Sequence, residues 1–401
     1  MRVLINGLAA AGRRTGVGHY TAELARTLPL VAQPGDEAVC FQPHWAKQLK
    51  GSWSRLRDWV APAQATHIAA GPARATLRAR ILDVAKQVGL WVYRQRFSVL
   101  ARGGFDLYHE PNFIPLPCEL PTITTVLDLS VLLHPQWHPA DRVRDFERRF
   151  REGLRRCVHV LTIANFGRRE VIEALGVPAE RVSRAYMGVR SGFAPLPPHQ
   201  VRAQVAQLGL PPCYLLHVGT LEPRKNLGTL LRAYIDLPRP IRERCPLVLV
   251  GGWGWNSADI YDFLQATGRD QHIVHVGYLP EAALPAVYNA ARALVFPTYY
   301  EGFGMPIIEM FACGGAVLAS TAGAVVEVAS GQAHLIAPED VTGWREAMQR
   351  IITDDDWHKQ LGQGGPAIAR QFTWEACARD TWQAYERALG RTTALAAPRA
   401  A

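Results

Sequence analysis

Short apolar runs alternate with helix-length amphipathic segments along the whole chain. That alternation is expected of parallel sheets covered by helices on both faces, because a buried parallel strand is apolar throughout whereas a covering helix is apolar on one side only. In the first half the runs predict strands at 2–7, 38–41, 106–109, 122–127 and 158–163. The stretch Phe193-Ala-Pro-Leu-Pro-Pro-His then breaks the pattern, and its composition resists helix and strand alike. A second series of strands follows at 214–218, 247–250, 273–276, 293–296 and 316–319. Two doubly wound α/β domains hinged near 193–211 are the simplest account. The segment 373–389 reads as an amphipathic helix with Thr373 as its N-cap, and a frayed tail follows it.

Composition agrees with this picture. A chain of 401 residues is long for one hydrophobic core and comfortable for two. No apolar run is long enough for a transmembrane helix, and the N-terminus lacks the apolar core and cleavage site of a secretory signal. The seven cysteines are scattered without CxxC pairs, so reduced thiols in a cytoplasmic protein are expected rather than a disulfide framework or a zinc site. The formal charge of +9 suits an anionic partner, but no nucleic-acid signature accompanies it. Basic residues cluster between Arg55 and Arg102 (Arg74, Arg78, Arg80, Lys86, Arg94, Arg96). Leu77, Ile81, Val84, Val88, Trp91 and Val92 recur among them at helical spacing. Two accounts of this basic helix stand open: a core-packed helix with a solvated face, or attachment to an anionic membrane surface.

Ligands of open α/β sheets sit beyond the carboxyl ends of the strands, and the chain's candidate chemistry lies at such ends. The strand 293–296 runs into Glu301-Gly-Phe-Gly-Met-Pro-Ile-Ile-Glu309. Gly302 and Gly304 allow close backbone approach and positive φ. Pro306 suits the first turn of a helix. The amides of Phe303, Gly304 and Met305 then stand at a helix N-terminus, which favours anions. A diphosphate with its flanking sugar and ribose fits, one carboxylate accepting sugar hydroxyls and the other the ribose diol. After the strand 214–218 comes Gly219-Thr-Leu-Glu-Pro-Arg-Lys-Asn226, where Arg224 and Lys225 supply cations that stabilise a leaving diphosphate more in the transition state than in the ground state.

These segments, taken in order, resemble the family 4 retaining glycosyltransferases of the GT-B fold, which include bacterial polysaccharide mannosyltransferases. The likeness covers Gly16-Val-Gly-His-Tyr-Thr-Ala-Glu-Leu, Tyr108-His-Glu-Pro-Asn112, Val126-Leu-Asp-Leu-Ser130 with His134-Pro, and Gly219–Asn226. It continues through Gly251-Gly-Trp-Gly-Trp255, His275-Val-Gly-Tyr278, the Glu301 and Glu309 pair and the segment 374–385. The resemblance implies two Rossmann-like domains facing across a cleft, an acceptor-side domain at 1–195 and a nucleotide-sugar-binding domain at 196–372. A helix at 373–390 would cross back to the first domain, with a tail at 391–401. It also implies that Glu301, Gly302 and the amides of Phe303–Met305 hold the donor sugar and β-phosphate, and that Glu309 holds the ribose. Arg224 and Lys225 would neutralise the diphosphate, with Gly219 and Tyr278 beside the donor. Gly16 and Gly18 would lie in a glycine loop, and Asp128 on the acceptor side. Such enzymes are retaining and need no metal or cofactor, the leaving phosphate helping to deprotonate the acceptor hydroxyl.

The chain departs from the family pattern at three places. Leu127 stands where His or Tyr is frequent, Thr220 where a cation is common and Met187 where Asn is frequent. The resemblance makes His109 a substitute for the histidine missing at 127. Asp354-Asp355-Asp356 reads as a solvated helix start rather than a metal motif, and Gly12 to Gly18 lacks the dinucleotide fingerprint. The expected activity is therefore hexosyl transfer, from GDP-mannose, to a glycan or lipid-linked acceptor of lipopolysaccharide or exopolysaccharide assembly, by a cytoplasmic protein peripheral to the inner membrane. Another donor such as a UDP- or dTDP-sugar, a nucleotide-sugar epimerase, a PLP-dependent phosphorylase or a silent binding protein are the competing readings.

Overall fold

The computed structural model describes residues 1–11, 16–42 and 72–391, with the backbone alone for 72–86. Its twelve strands are β1 (Arg2–Asn6), β2 (Glu37–Phe41), β3 (Leu107–Glu110), β4 (Thr122–Val126), β5 (Cys157–Thr162), β6 (Val182–Arg184), β7 (Tyr214–Val218), β8 (Leu247–Val250), β9 (Ile273–Gly277), β10 (Ala291–Phe296), β11 (Ala316–Ser320) and β12 (His334–Ile336). They form two six-stranded sheets, β2-β1-β3-β4-β5-β6 and β12-β11-β10-β7-β8-β9. The chain folds into two compact units: Met1–Thr124 with Gly153–Val158 and the residues from Tyr385 onward, and Thr125–Glu152 with His159–Ala384.

In the second sheet every strand pairs in parallel. A parallel sheet has helices on both faces, which is why Leu247, Val248, Leu249 and Val250 are all buried. The core beside it gathers Leu215, Leu249 and Val295 from the strands with Leu230, Leu231, Trp344 and Met348 from the helices Leu227–Ile235 and Val341–Thr353. In the first unit the helix Pro72–Ala101 supplies Phe97 and Ala101 to a cluster with Leu4, Phe105 and Tyr108.

That helix differs from its expected pattern. Val88 and Trp91, counted among its recurring apolar positions, are 55% and 61% exposed, and Val99 is 71% exposed. Its packed face is Tyr93, Phe97 and Ala101. Arg55 lies outside the described residues, as do the side chains of Arg74, Leu77, Arg78, Arg80, Ile81, Val84 and Lys86. The Pro-rich stretch also departs from expectation, because the helix Pro198–Gln207 starts inside it with Pro198 in its first turn, where the missing N–H costs nothing. The helix Trp374–Ala388 matches its sequence signal, and Ala376 N donates to Thr373 Oγ1 at 3.1 Å. Asp354 caps the helix Asp355–Gln363 by accepting from Trp357 N at 2.9 Å. Arg391 pairs with Asp106 at 3.2 Å, and the rest of the expected tail lies outside the described residues. Among the described residues no helix is long and apolar enough to cross a membrane.

Candidate active site

The order of the second sheet reverses between β7 and β10, so the loops leaving these two neighbours diverge and open a crevice at their carboxyl ends. Both sequence-predicted constellations stand there. The loop after β7 carries Glu222, Arg224 and Lys225, and the loop after β10 carries Thr298, Tyr300 and Glu301. Backbone bonds lock the loops together: Tyr299 N donates to Arg224 O at 2.8 Å, and Asn226 Nδ2 donates to Pro297 O at 2.9 Å.

Charge is paired inside this junction. Arg224 bonds Glu222 at 2.6 Å and Glu301 at 2.9 Å, while Lys225 Nζ contacts the other Glu301 oxygen directly. Thr298 Oγ1 donates to Glu301 at 3.1 Å. Glu301 is 6% and Lys225 7% exposed, so these interactions are little screened by water. Burial alone would raise the Glu301 pKa, but Lys225 and Arg224 together pull it down to about 2, and the carboxylate stays ionised. Burial pushes the Lys225 ammonium down and Arg224 adds to this, with Glu301 opposing.

The glycines of the turn do different things. Gly304 has φ 110° and immediately precedes the helix Met305–Ala312, a conformation that favours glycine. In the first turn of that helix Pro306 has no N–H and Ile307 N donates to Gly304 O at 2.9 Å. Gly302 was expected to make room for a ligand, but the backbone it admits is the protein's own. A Cβ there would stand 1.9 Å from Leu127 O. The turn is therefore packed directly on the chain at Leu127 and Asp128.

Asp128 is half-buried and caps its own turn, accepting from Ser130 N at 2.9 Å and Ser130 Oγ at 2.8 Å. Tyr300 Oη accepts from Leu129 N at 3.0 Å and donates to Glu170 at 2.5 Å. Burial raises the Glu170 carboxyl to about 7; the Tyr300 hydroxyl opposes this and the Asp128 charge adds to it. Glu309 lies within the helix Met305–Ala312 and is 1% exposed. Arg190 Nε donates to one of its oxygens at 2.5 Å and Tyr288 Oη to the other at 2.8 Å.

The remaining predicted residues lie elsewhere. Gly219 begins the loop after β7, and Tyr278, 40% exposed, follows β9. Gly16 and Gly18 occupy the first turn of the helix Gly16–Thr27 rather than a loop, and residues 12–15 before them lie outside the described residues. His109 does not suit the acceptor-side role. Its ring is fully buried, Nδ1 bonds Tyr385 Oη at 2.7 Å, and burial pushes its pKa down to about 3. Its Nδ1 is already engaged by a partner within the protein.

Sequence reasoning missed Arg190, Tyr288, Glu170, Glu222 and Tyr300, whose partners are mostly distant in the chain. It also missed a buried network in the first unit, at the switch point between β1 and β3. There Glu110 accepts from Asn6 Nδ2 and Tyr108 Oη, each at 2.6 Å, and Tyr93 Oη donates to Asn6 Oδ1 at 2.6 Å. Burial holds the Glu110 carboxyl at about 7. A cue existed for the second network alone, since Asn6 and Glu110 end the apolar strands β1 and β3.

Residues 203–367 match the family described as "Glycosyl transferases group 1". The chain is 34% identical over 379 residues to the O-antigen chain mannosyltransferase B of Escherichia coli, covering 93% of this chain and 96% of that one. Among solved structures, sucrose-phosphate synthase from Thermosynechococcus elongatus superposes with a TM-score of 0.67 at 19% identity, over 98% of this chain and 100% of its own. Anabaena Alr3699/HepE, in complex with UDP and glucose, gives 0.65 at 16% identity over 96% of this chain and 99% of its own. These two likenesses speak for the fold, which is GT-B.

Proposed function

This chain belongs to the group 1 glycosyltransferases, and from that premise we propose that it moves a mannosyl group from GDP-mannose, with retention, onto a glycan or lipid-linked acceptor in bacterial surface polysaccharide assembly. The observation that carries the reading is the 34% identity to an O-antigen mannosyltransferase over 96% of that protein's length. It is supported by paired carboxylates and cations at the switch point of the second sheet.

In this reading the helix N-terminus at Met305 takes the β-phosphate, Glu301 the sugar hydroxyls and Glu309 the ribose diol. Arg224 and Lys225 stabilise the charge that grows on the diphosphate as the sugar leaves. The bond from the anomeric carbon to phosphate oxygen breaks, and a bond to the acceptor oxygen forms on the same face. The acceptor proton passes to the leaving phosphate. Asp128 lies on the acceptor side. No metal or cofactor enters the scheme, and the nucleotide-sugar is a co-substrate. The protein would work at the cytoplasmic face of the inner membrane. There the exposed Val88, Trp91 and Val99, three or eight residues apart along one side of the helix Pro72–Ala101, meet lipid, with exposed Arg94 and Arg96 near anionic headgroups.

Thermal unfolding with GDP, UDP and dTDP tests the donor: GDP should raise the melting temperature, and protection by UDP alone overturns the mannosyl reading. With GDP-mannose and an acceptor, Lys225→Ala should lose roughly 2–4 kcal/mol of transition-state stabilisation, read as kcat/KM.

A further inference from the structure

His138 is a buried imidazole without any hydrogen bond. Its side chain follows a 3-10 turn, Pro135–Trp137, and precedes the helix Ala140–Arg156. The residue is 6% exposed, and neither Nδ1 nor Nε2 has a partner. Each unpaired buried polar atom costs about 1–3 kcal/mol, so a fold free to choose would place Phe or Leu here. A group kept at such a cost calls for a partner that arrives later.

The surroundings say which partner. The ring lies 5.4 Å from the ring of Trp255, over which Arg142 stacks at 4.1 Å. Trp255 Nε1 donates to Trp137 O at 2.7 Å, which fixes the loop after β8 against this turn. That loop in turn packs on the one after β7: Gly254 N donates to Leu221 O at 2.9 Å, and a Cβ on Gly251 would stand 1.8 Å from Gly219 O. Arg224, Asp128, Arg142 and His134 are the charged and titratable groups close enough to act on the imidazole. Burial and then Arg142 push its pKa down to about 4, Asp128 opposing and Arg224 adding, so at neutral pH it is uncharged, with one donor and one acceptor nitrogen. Leu127, at the strand end before Asp128, is buried and apolar and offers no such group.

We propose that His138 contacts the substrate, donating a hydrogen bond to an oxygen of the sugar diphosphate beside Arg224 when the donor binds. This rests on the donor-site reading given above. Both nitrogens are closed off in the unliganded protein, so the contact requires a local shift around the ring when the donor enters.

The test sets stability against turnover in two variants, His138→Phe and His138→Gln. The donor is whichever of the GDP-, UDP- and dTDP-hexoses the wild-type enzyme turns over. His138→Phe should melt at or above the wild-type temperature, because it removes two unpaired polar atoms, yet lose about ten- to hundredfold in kcat/KM, the worth of a hydrogen bond to a charged group. His138→Gln, whose amide still donates, should recover part of that loss. Wild-type kcat/KM in His138→Phe, whatever its stability, or a His138→Gln no better than His138→Phe, overturns the inference and leaves the glycosyltransferase reading standing. A wild-type enzyme inert with every donor overturns both.

Discussion

Glu309 shows how little a motif says about the state of its residues. The sequence places a carboxylate one helical turn beyond a glycine turn, as a ligand for ribose. In the folded chain both of its oxygens are already engaged, one by Arg190 and the other by Tyr288. An ionised carboxylate has about four acceptor positions, so two remain for a diol. Arg190 therefore orients the carboxylate as well as neutralising it. Arg190→Ala leaves a buried charge without its partner, and about 3–5 kcal/mol of stability should go with it. Urea denaturation reads that loss, and a donor KM raised in the surviving folded fraction reads the orientation. A variant as stable as the wild type would mean that the pair is not closed in solution.

At the scale of elements, the turn after β10 and the strand end at Leu127 form one packed joint. Gly302→Ala must push them apart, because its Cβ would meet Leu127 O at 1.9 Å. Overpacking of this kind costs about 1–3 kcal/mol. Nucleotide protection in a thermal melt should weaken further than that loss alone accounts for, since Glu301 adjoins the displaced residue. The strands of this region were legible because parallel strands buried on both faces are apolar from end to end; 214–218 and 247–250 match β7 and β8. The edge strands β6 and β12 were not, because Val182-Ser-Arg and His334-Leu-Ile are short and mixed in polarity. The glycine turn was legible as a turn. What Gly302 packs against was not, since that contact joins residues far apart in the chain.

Over the whole molecule, buried titratable groups set how stability varies with pH. His109 is held at about 3, and His138 and His217 at about 4, against an ordinary 6.5, mainly by burial. The unfolded chain takes up protons there that the fold refuses, so stability falls as pH drops below 6.5. Glu110 and Glu170, raised to about 7 from 4.5, act oppositely: the fold keeps protons that the unfolded chain releases, and stability falls as pH rises through this range. Three histidines against two carboxyls leave a net uptake of about one proton on unfolding between pH 4.5 and 6.5, about 1.4 kcal/mol per pH unit, and His134, His334 and His358, also held down mainly by burial, add to it. Below 4.5 the carboxyls no longer contribute to the slope, and Glu301, held at about 2, joins the histidines. The denaturation midpoint should be highest near pH 6.5, decline slightly toward 7, fall gradually as pH drops to 5, and collapse below 4.5. A collapse already at pH 6 would show that the carboxyls do not hold their protons.

The junction of Glu222, Arg224, Glu301 and Lys225 is a chain of alternating charges, two negative and two positive side chains. Empty, it exerts little net pull on a passing anion. A bare phosphate that takes the cations evicts Glu301 and strands it. A ligand carrying hydroxyl groups next to its phosphates repairs the damage it does, since the evicted carboxylate finds fresh donors on the same molecule. On the donor-site reading proposed above, such a site would weigh the two halves of its ligand jointly, and would thereby tell a sugar nucleotide from the nucleotides and phosphates that crowd a living cell.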